Sequence, residues 1–531
     1  MKQTILSKTK ILFPLIAVLL TSCLKPASTG YQPITINEDP TDGAKKALTT
    51  RAKIPIQIDK DLNISLWASD SLAPDPIAMS IDDYGRVFVT RSNRQKNSEF
   101  DIRGHVNWMT PSIAMQSVED RRAFLHSTFS PEKSNENAWL KDLNGDGLHD
   151  WHDLAVEKDE IWRLEDRNND GIADVSMRVL DDFHDEVSDV AGGLLVRRKD
   201  AFVNIAPDMW RLRDTNGDGV FDEKKSISTG YQVHIGFGGH GMSGATEGSD
   251  GKIYWQIGDI GANITALDGK KYSHPNSGVL VRSNPDGSDF EVMVTGIRNT
   301  HEFVFDDYGN LISSDNDGDH PGESERLVHL VEGGDLGWRS NWQYGKYTDP
   351  KNNSYKVWMD EKLFKPRWDG QAAYIIPPIM NYHNGPTGML FNPGTALGKE
   401  WKNKFFLVEF VGAPTRSHIW SFGLKPKGAS FELDGEKDIV SGILPTGIRF
   451  GPDGALYAAD WIMGWDAKDY GRIWKIDVKA DKNDLKNERE TTKTLMAMEY
   501  AAQTESQLFD LLAYPDMRIR QKAQLDRKSV V

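Results

Sequence analysis

The chain has 531 residues, 39% of them hydrophobic, and a formal net charge of -15. That acidic balance excludes a nucleic-acid partner, whose phosphates need a basic face, and suits bound calcium, which draws on surplus carboxylates. The length admits several domains or one long β-rich domain with a large polar surface.

Lys2, Lys8 and Lys10 precede an apolar run from Ile11 to Leu20, too short for an ordinary transmembrane helix. The run ends at Leu20-Thr21-Ser22-Cys23, which resembles a bacterial lipobox. The resemblance implies that residues 1–22 are a lipoprotein signal peptide and that Cys23 carries lipid. It places the protein outside the cytoplasm, anchored to a bacterial membrane and facing the periplasm or the cell surface. The alternative is a plain secretory peptide. Cys23 is the single cysteine, so the rest of the chain has no disulfide and no thiolate chemistry. Residues 23–53, rich in Pro, Thr, Ser and Lys, read as a tether.

From residue 54 a unit repeats: an alternating apolar strand, a turn with Asp and Gly, and a second apolar strand. It begins at Pro76, Gly192, Ala245, Glu302, Gly388 and Gly447. A third strand follows each copy, near Ile161, Met209, Gly278, Arg326, His418 and Arg472. Six concordant copies predict an all-β fold, a six-bladed β-propeller over residues 54–478. Residues 92–160 and about 337–387 are inserts. The early strand at Leu62 is expected to pair with the last blade and close the ring, which removes free sheet edges. A β-sandwich with long loops is the competing architecture. Beyond residue 478 the pattern turns helical, broken at Tyr514-Pro515-Asp516. This short HEAT-like segment (479–531) reads either as a linker and the start of a longer helical array, or as a cap on the propeller.

Three acidic loops carry oxygen ligands at alternating positions, which turns hard donors toward one point and suits calcium. The first holds Asp142, Asn144, Asp146 and Asp150, with Asp153 at the twelfth position. The second holds Asp166, Asn168, Asp170 and Asp174, and the third Asp214, Asn216, Asp218 and Asp222. The last two follow blade strands directly, like hairpin loops rather than helix-flanked EF-hands. Asp-Asn-Gly turns without metal are the alternative.

The segment Gly238 to Asn263 sets His240 among glycines that let backbone approach a ligand closely. Gly239-His240, the turn at Lys252 and Gly258-Asp-Ile-Gly-Ala-Asn resemble the general-base segment of the soluble sugar dehydrogenases that use pyrroloquinoline quinone (PQQ). Gly296-Ile-Arg-Asn is similar to that family's quinone-contacting signature, as are Ser324 to Trp342 and Asn384 to Gly394 to its later motifs. Order and spacing are closer still to the membrane-bound dehydrogenase family of secreted bacterial proteins, related to sorbosone dehydrogenases. The resemblance covers residues 55 to 478. It implies PQQ-dependent oxidation of a sugar or related alcohol, with His240 as base and with Arg298 acting on the quinone. It implies Arg298, Asn299, His383 and Arg416 as cofactor contacts, and calcium near Asp315, Asp317 and Asp319. A cytochrome c is the implied electron acceptor. No Cys-x-x-Cys-His occurs, so no haem is attached to this chain.

The chemistry is coherent on its own terms. Hydride loss from an alcohol needs a base for the hydroxyl proton, which a neutral His240 supplies. A quinone taking up hydride gathers negative charge, which Arg298 stabilises. The aromatics Trp338, Trp342, Tyr344, Tyr347, Trp358, Trp368 and Tyr374 crowd one insert, either to stack on sugar rings or to build that insert a core. Two rival functions stay open: a non-catalytic calcium-stabilised propeller that binds glycan or protein, and a metal-dependent lactonase.

Overall fold

The computed structural model describes residues 33–528 apart from 96, 350, 354 and 373, so the expected signal peptide and the expected lipid site at Cys23 lie outside the described residues. The repeated turn forms by one local device. In four copies an Asp accepts the N–H two residues on: Asp82 from Tyr84 at 2.9 Å, Asp250 from Lys252 at 3.1 Å, Asp306 from Tyr308 at 2.9 Å and Asp453 from Ala455 at 3.1 Å. Each turn also holds a glycine, Gly85, Gly251, Gly309 or Gly454, with φ between 77° and 86°, a backbone state that only glycine adopts cheaply.

These hairpins grow into six antiparallel blades. Blade 1 is built on Met79–Ile81, Val87–Ser92, Asp159–Glu165 and Val175–Asp182, and blade 2 on Gly193–Arg197, Asp200–Ile205, Asp208–Arg213 and Glu223–Thr229. Blade 3 runs from Met242–Glu247 to Glu291–Ile297, and blade 4 from Phe303–Phe305 to Met380–Asn381. Blade 5 runs from Pro386–Phe391 to Ser430–Ser441. Blade 6 takes Pro445–Phe450, Leu456–Asp460 and Arg472–Val478, with Leu62–Ala68 as its outer strand. The first strands of successive blades adjoin one another and return from blade 6 to blade 1, so the ring closes as expected. Six apolar clusters fill the six gaps between neighbouring blades. Burial between sheets, rather than within one, is what holds the ring.

The tether reading fails for residues 33–53. Ile34–Asn37 pairs with the outer strand of blade 1, and Pro40–Lys53 is a helix. Asp39 caps that helix, accepting from the Thr41 and Asp42 N–H groups, and Pro40 stands where its missing N–H costs nothing. Gln57–Ile58 then adds to the edge of blade 5. The N-terminal segment therefore supplies outer strands to blades 1, 5 and 6.

Residues 92–160 form an insert with helices Met109–Ala114 and Val118–Thr128 and an aromatic-rich core. The second insert leaves blade 4 after Arg326–Leu330 and carries helices Ser340–Thr348 and Tyr355–Asp360. Its aromatics mostly build its own core: Trp338, Tyr355 and Trp358 are buried together, while Tyr374 is exposed. The two inserts meet at the Ile235 carbonyl, on the loop that carries His240, which accepts from the Tyr344 hydroxyl at 2.7 Å and from the Ser112 hydroxyl at 3.0 Å.

At the other end of the axis the C-terminal helices Lys486–Met496, Glu505–Leu511 and Met517–Lys528 lie on the propeller and cap it. Met517–Lys528 reaches blade 1 through Lys522–Asp83 and blade 4 through Arg520–Asp307. Gln521 and Gln524 donate to carbonyls at 247–249 of blade 3, and Arg518 to carbonyls at 450–451 of blade 6. Between helix and ring lies a chamber of about 500 Å³. No described helix is long and apolar enough to cross a membrane.

Candidate active site

The loops joining one blade to the next bring distant residues together at the end opposite that cap. His240 stands on the loop between blades 2 and 3, and Arg298, Asn299 and His301 on the loop between blades 3 and 4. Gly258 sits where they meet. A Cβ there would fall 2.6 Å from the His240 carbonyl and 2.9 Å from that of Arg298, so only glycine lets the two backbones close on it. The next residue, Asp259, joins them. Its N–H donates to the Arg298 carbonyl at 2.8 Å, its Oδ1 accepts from His240 Nδ1 at 2.8 Å, and its Oδ2 accepts from Trp338 Nε1 at 2.7 Å.

A carboxylate only accepts, so His240 carries its proton on Nδ1 and keeps the Nε2 lone pair free. His240 is buried, and burial pushes its pKa below the ordinary imidazole value. Arg298 pushes the same way, against the pull of Asp259. Burial alone would raise Asp259, but His240, Arg298 and the Trp338 N–H together hold it below the usual carboxylate range.

Arg298 is buried, with Nε donating to Gln343 Oε1 at 3.1 Å and Nη2 3.6 Å from Asp319 Oδ2. Its guanidinium lies 5.7 Å from the Trp338 ring centre and 6.0 Å from that of Phe237. Its Nη1 is buried with no hydrogen-bond partner among the described residues. Asn299 donates from Nδ2 to the Gly239 carbonyl at 3.1 Å and to His301 Nε2 at 3.0 Å, and its Oδ1 is likewise buried and unpaired. His301 is pushed down to about 4 by burial, helped by His240 and Arg298, and is neutral at ordinary pH.

Asp315 is the keystone under this loop. Its Oδ1 accepts the N–H groups of Arg298 and Asn299 and its Oδ2 pairs with Arg326, so both oxygens have partners. Asp317 accepts from the Asp319 N–H at 3.1 Å, and burial raises its pKa. Glu325, not singled out by the sequence, is buried next to Asp317 and pushed up to about 8, first by burial and then by that carboxylate.

Residues 49–465 match the model of a domain family of unknown function, DUF7133. The chain belongs to that family. No curated protein matches it. Similar solved structures include a Thermus thermophilus oxidoreductase described as a glucose dehydrogenase, 14% identical with TM-score 0.45, covering 78% of this chain and 99% of that one. A PQQ-bound aldose sugar dehydrogenase from Streptomyces coelicolor is 11% identical with TM-score 0.43, covering 79% and 100%. The soluble aldose sugar dehydrogenase of Escherichia coli is 14% identical with TM-score 0.39, covering 79% and 100%.

Two residues of this DUF7133 chain leave the expected cofactor set. His383 stacks on Trp420 at 3.9 Å and meets Glu436 at 3.2 Å, out on the third and fourth strands of blade 5. Arg416 is exposed in the turn Pro414–Arg416, with no hydrogen bond or ion pair to the His240 group among the described residues. Arg449 instead crosses the axis to pair with Glu302, which also accepts the Met389 N–H at 2.9 Å. Glu302 separates the lower chamber from an upper cavity of about 140 Å³, lined among others by Glu99, Asp189, His301 and Phe410. Burial and the Asp189 charge push Glu99 up to about 8. Glu99 and Asp189 were not legible as a pair, because they come from an insert and an inter-blade loop.

The three acidic loops share one hydrogen-bond pattern. Asp142, Asp166 and Asp214 each accept N–H groups from the loop backbone, including Gly147, Gly171 and Gly219 at 3.0, 2.9 and 2.8 Å. Asn144, Asn168 and Asn216 accept from Asp146, Asp170 and Asp218, which in turn accept from Leu148, Ile172 and Val220. The last carboxylates turn elsewhere: Asp150 to His152, Asp153 to Leu143 and Asn144, Asp174 to Arg167 and Asp222 to Thr215. Among the described residues no group of three or more His, Cys, Asp or Glu is gathered closely enough to hold a metal ion.

Proposed function

We propose that the chain oxidises a sugar or related alcohol at the His240–Asp259–Arg298 site, with PQQ as hydride acceptor. The observation that carries this reading is Asp259, which binds His240 through one oxygen and the Arg298 backbone through its N–H. The site fits a quinone at one edge. Arg298 Nη1 is a buried donor and Asn299 Oδ1 a buried acceptor, both unpaired and both close to the base. Buried polar atoms of that kind normally find a partner, here a ligand. Arg298 and Asn299 would hold PQQ, which when bound supplies the two-electron acceptor.

The chain's own part is proton handling and charge. His240 Nε2 takes the hydroxyl proton of the substrate. Asp259 fixes the ring and stabilises the imidazolium that forms, and Trp338 fixes Asp259. Arg298 is set to meet negative charge that develops beside it. Electrons leave to a cytochrome c or similar acceptor, and Cys23 anchors the protein outside the cytoplasm. Calcium in the three acidic loops is a separate part of the proposal. It rests on the repeated Asp, Asn and Asp oxygens, each able to accept more than one bond.

The test is purified protein with PQQ, calcium, a dye acceptor and a panel of sugars and alcohols. Dye reduction that His240→Gln lowers by at least about 100-fold supports the reading, since general-base assistance is worth about 10²–10⁴. No turnover and no change in quinone absorbance overturn it. For the loops, a melting temperature that calcium raises and EGTA restores supports metal binding, and an unchanged one removes it.

A further inference from the structure

We propose that Trp338 is a positioning residue for His240, acting through Asp259, so that the helical insert of blade 4 completes the general base of blade 3. This rests on reading His240 as a base, but its test does not depend on turnover.

The insert reaches the site by a built route. Gly334–Asp335 runs parallel to the outer strand of blade 3, and Gly296 allows it: a Cβ there would lie 2.0 Å from Asp335 Oδ1 and 2.5 Å from the Gly337 N–H. The Trp338 backbone N–H then donates to the Gly296 carbonyl at 3.0 Å, which sets the indole over Asp259. Trp338 is fully buried and meets Trp342, Tyr355 and Trp358 edge-on, so its ring has one place to be. The same insert holds Arg298 through Gln343, itself fully buried. One element thus supports both the base and the guanidinium.

The charged and titratable groups that face His240 are Asp259, Arg298, Asp319 and His301. Only Asp259 hydrogen-bonds its ring among the described residues. The Trp338 N–H spreads part of the Asp259 charge, leaving less for the imidazolium. Removing that donor strengthens Asp259 as acceptor, so the protonated state of His240 becomes easier to form. Arg298 keeps Gln343 and Asp319 in that case, so its influence on His240 is retained.

The experiment is a pH titration of the histidine side chains of the full chain by NMR, with His240 assigned through His240→Gln. The control is Trp358→Phe, which removes an equally buried indole N–H whose acceptor is Glu323 instead. Trp338→Phe moves the His240 midpoint to higher pH, and Trp358→Phe leaves it in place. In the unmodified protein the Trp338 indole proton follows the His240 midpoint and that of Trp358 does not, which tests the proposal even if Trp338→Phe fails to fold. An unmoved His240 in Trp338→Phe, equal shifts in both variants, or a Trp338 indole blind to His240 overturns it. A quinone test that fails leaves these readouts standing, and so separates the two ideas.

Discussion

Glu325 shows how a single buried group leaves a mark on stability. Its folded pKa is pushed up to about 8 from an ordinary 4.5. A carboxyl raised in this way contributes stability that is fully present below the unfolded value and lost as pH rises through the folded one. The melting temperature of the protein is therefore expected to fall between pH 5 and pH 8 more steeply than that of Glu325→Gln, read by calorimetry across that window. Glu99, also pushed up to about 8, acts with the same sign, so some slope survives the substitution. Asp315 matters through its partners, Arg326 and two backbone N–H groups. Asp315→Ala strands a buried guanidinium and is expected to cost about 3–5 kcal/mol in chemical denaturation. The two acids stand ten positions apart on one stretch, and the sequence could not tell them apart. An acid pushed up by burial and one that gathers backbone N–H groups look alike in sequence, and only the fold separates them. His240 stood out among its glycines, whereas Arg298 and Asn299 were picked out by the Gly296-Ile-Arg-Asn signature. Asp259 lay inside the same motif, but its role needs Trp338 from a chain segment far downstream.

At the scale of elements, the inner three strands of each blade could be read because alternation and the Asp-Gly turn agree locally. Apart from Leu62–Ala68, the outer strands could not. Ile34–Asn37 is mostly exposed, and Gln57–Ile58 and Met380–Asn381 have two residues each, so no periodicity marks them. They exist because a neighbouring edge needs covering. The C-terminal cap has the same logic, and its contacts differ in worth. Asp516 is fully buried, accepts from Thr395 Oγ1 at 2.6 Å and pairs with Arg518. Arg520–Asp307 and Lys522–Asp83 lie partly exposed at the rim. Asp516→Ala is expected to lose about 1–3 kcal/mol through the unmet hydroxyl and guanidinium, against about 0–1 kcal/mol for Arg520→Ala or Lys522→Ala. Urea melts of the three variants check the order, and near-equal losses would mean that the rim pairs bear the cap.

For the molecule as a whole, ring closure depends on a strand met before any complete blade. Leu62–Ala68 pairs with Arg472–Val478, and Leu62, Ile64, Leu66 and Trp67 are all buried. Burying such side chains is worth about 1.5–3 kcal/mol each, so the four together contribute on the order of 6–12 kcal/mol. That is comparable to the whole stability of a typical domain, about 5–15 kcal/mol. Without the strand, Trp474 and Ile476 lose their cover and blade 6 shows a free hydrogen-bonding edge. The segment before it contributes less. Ile34–Asn37 covers only the outer edge of blade 1, and Pro40–Lys53 buries two small residues, Gly43 and Ala47. A chain that starts at residue 55 is therefore expected to stay monomeric with a single, somewhat lower melting transition. One that starts at residue 70 is expected to lose the cooperative transition and to associate through blade 6. Calorimetry and gel filtration of the two truncations decide it. A sharp, monomeric melt from the shorter chain would show that the gaps between blades hold the ring without its outer clasp.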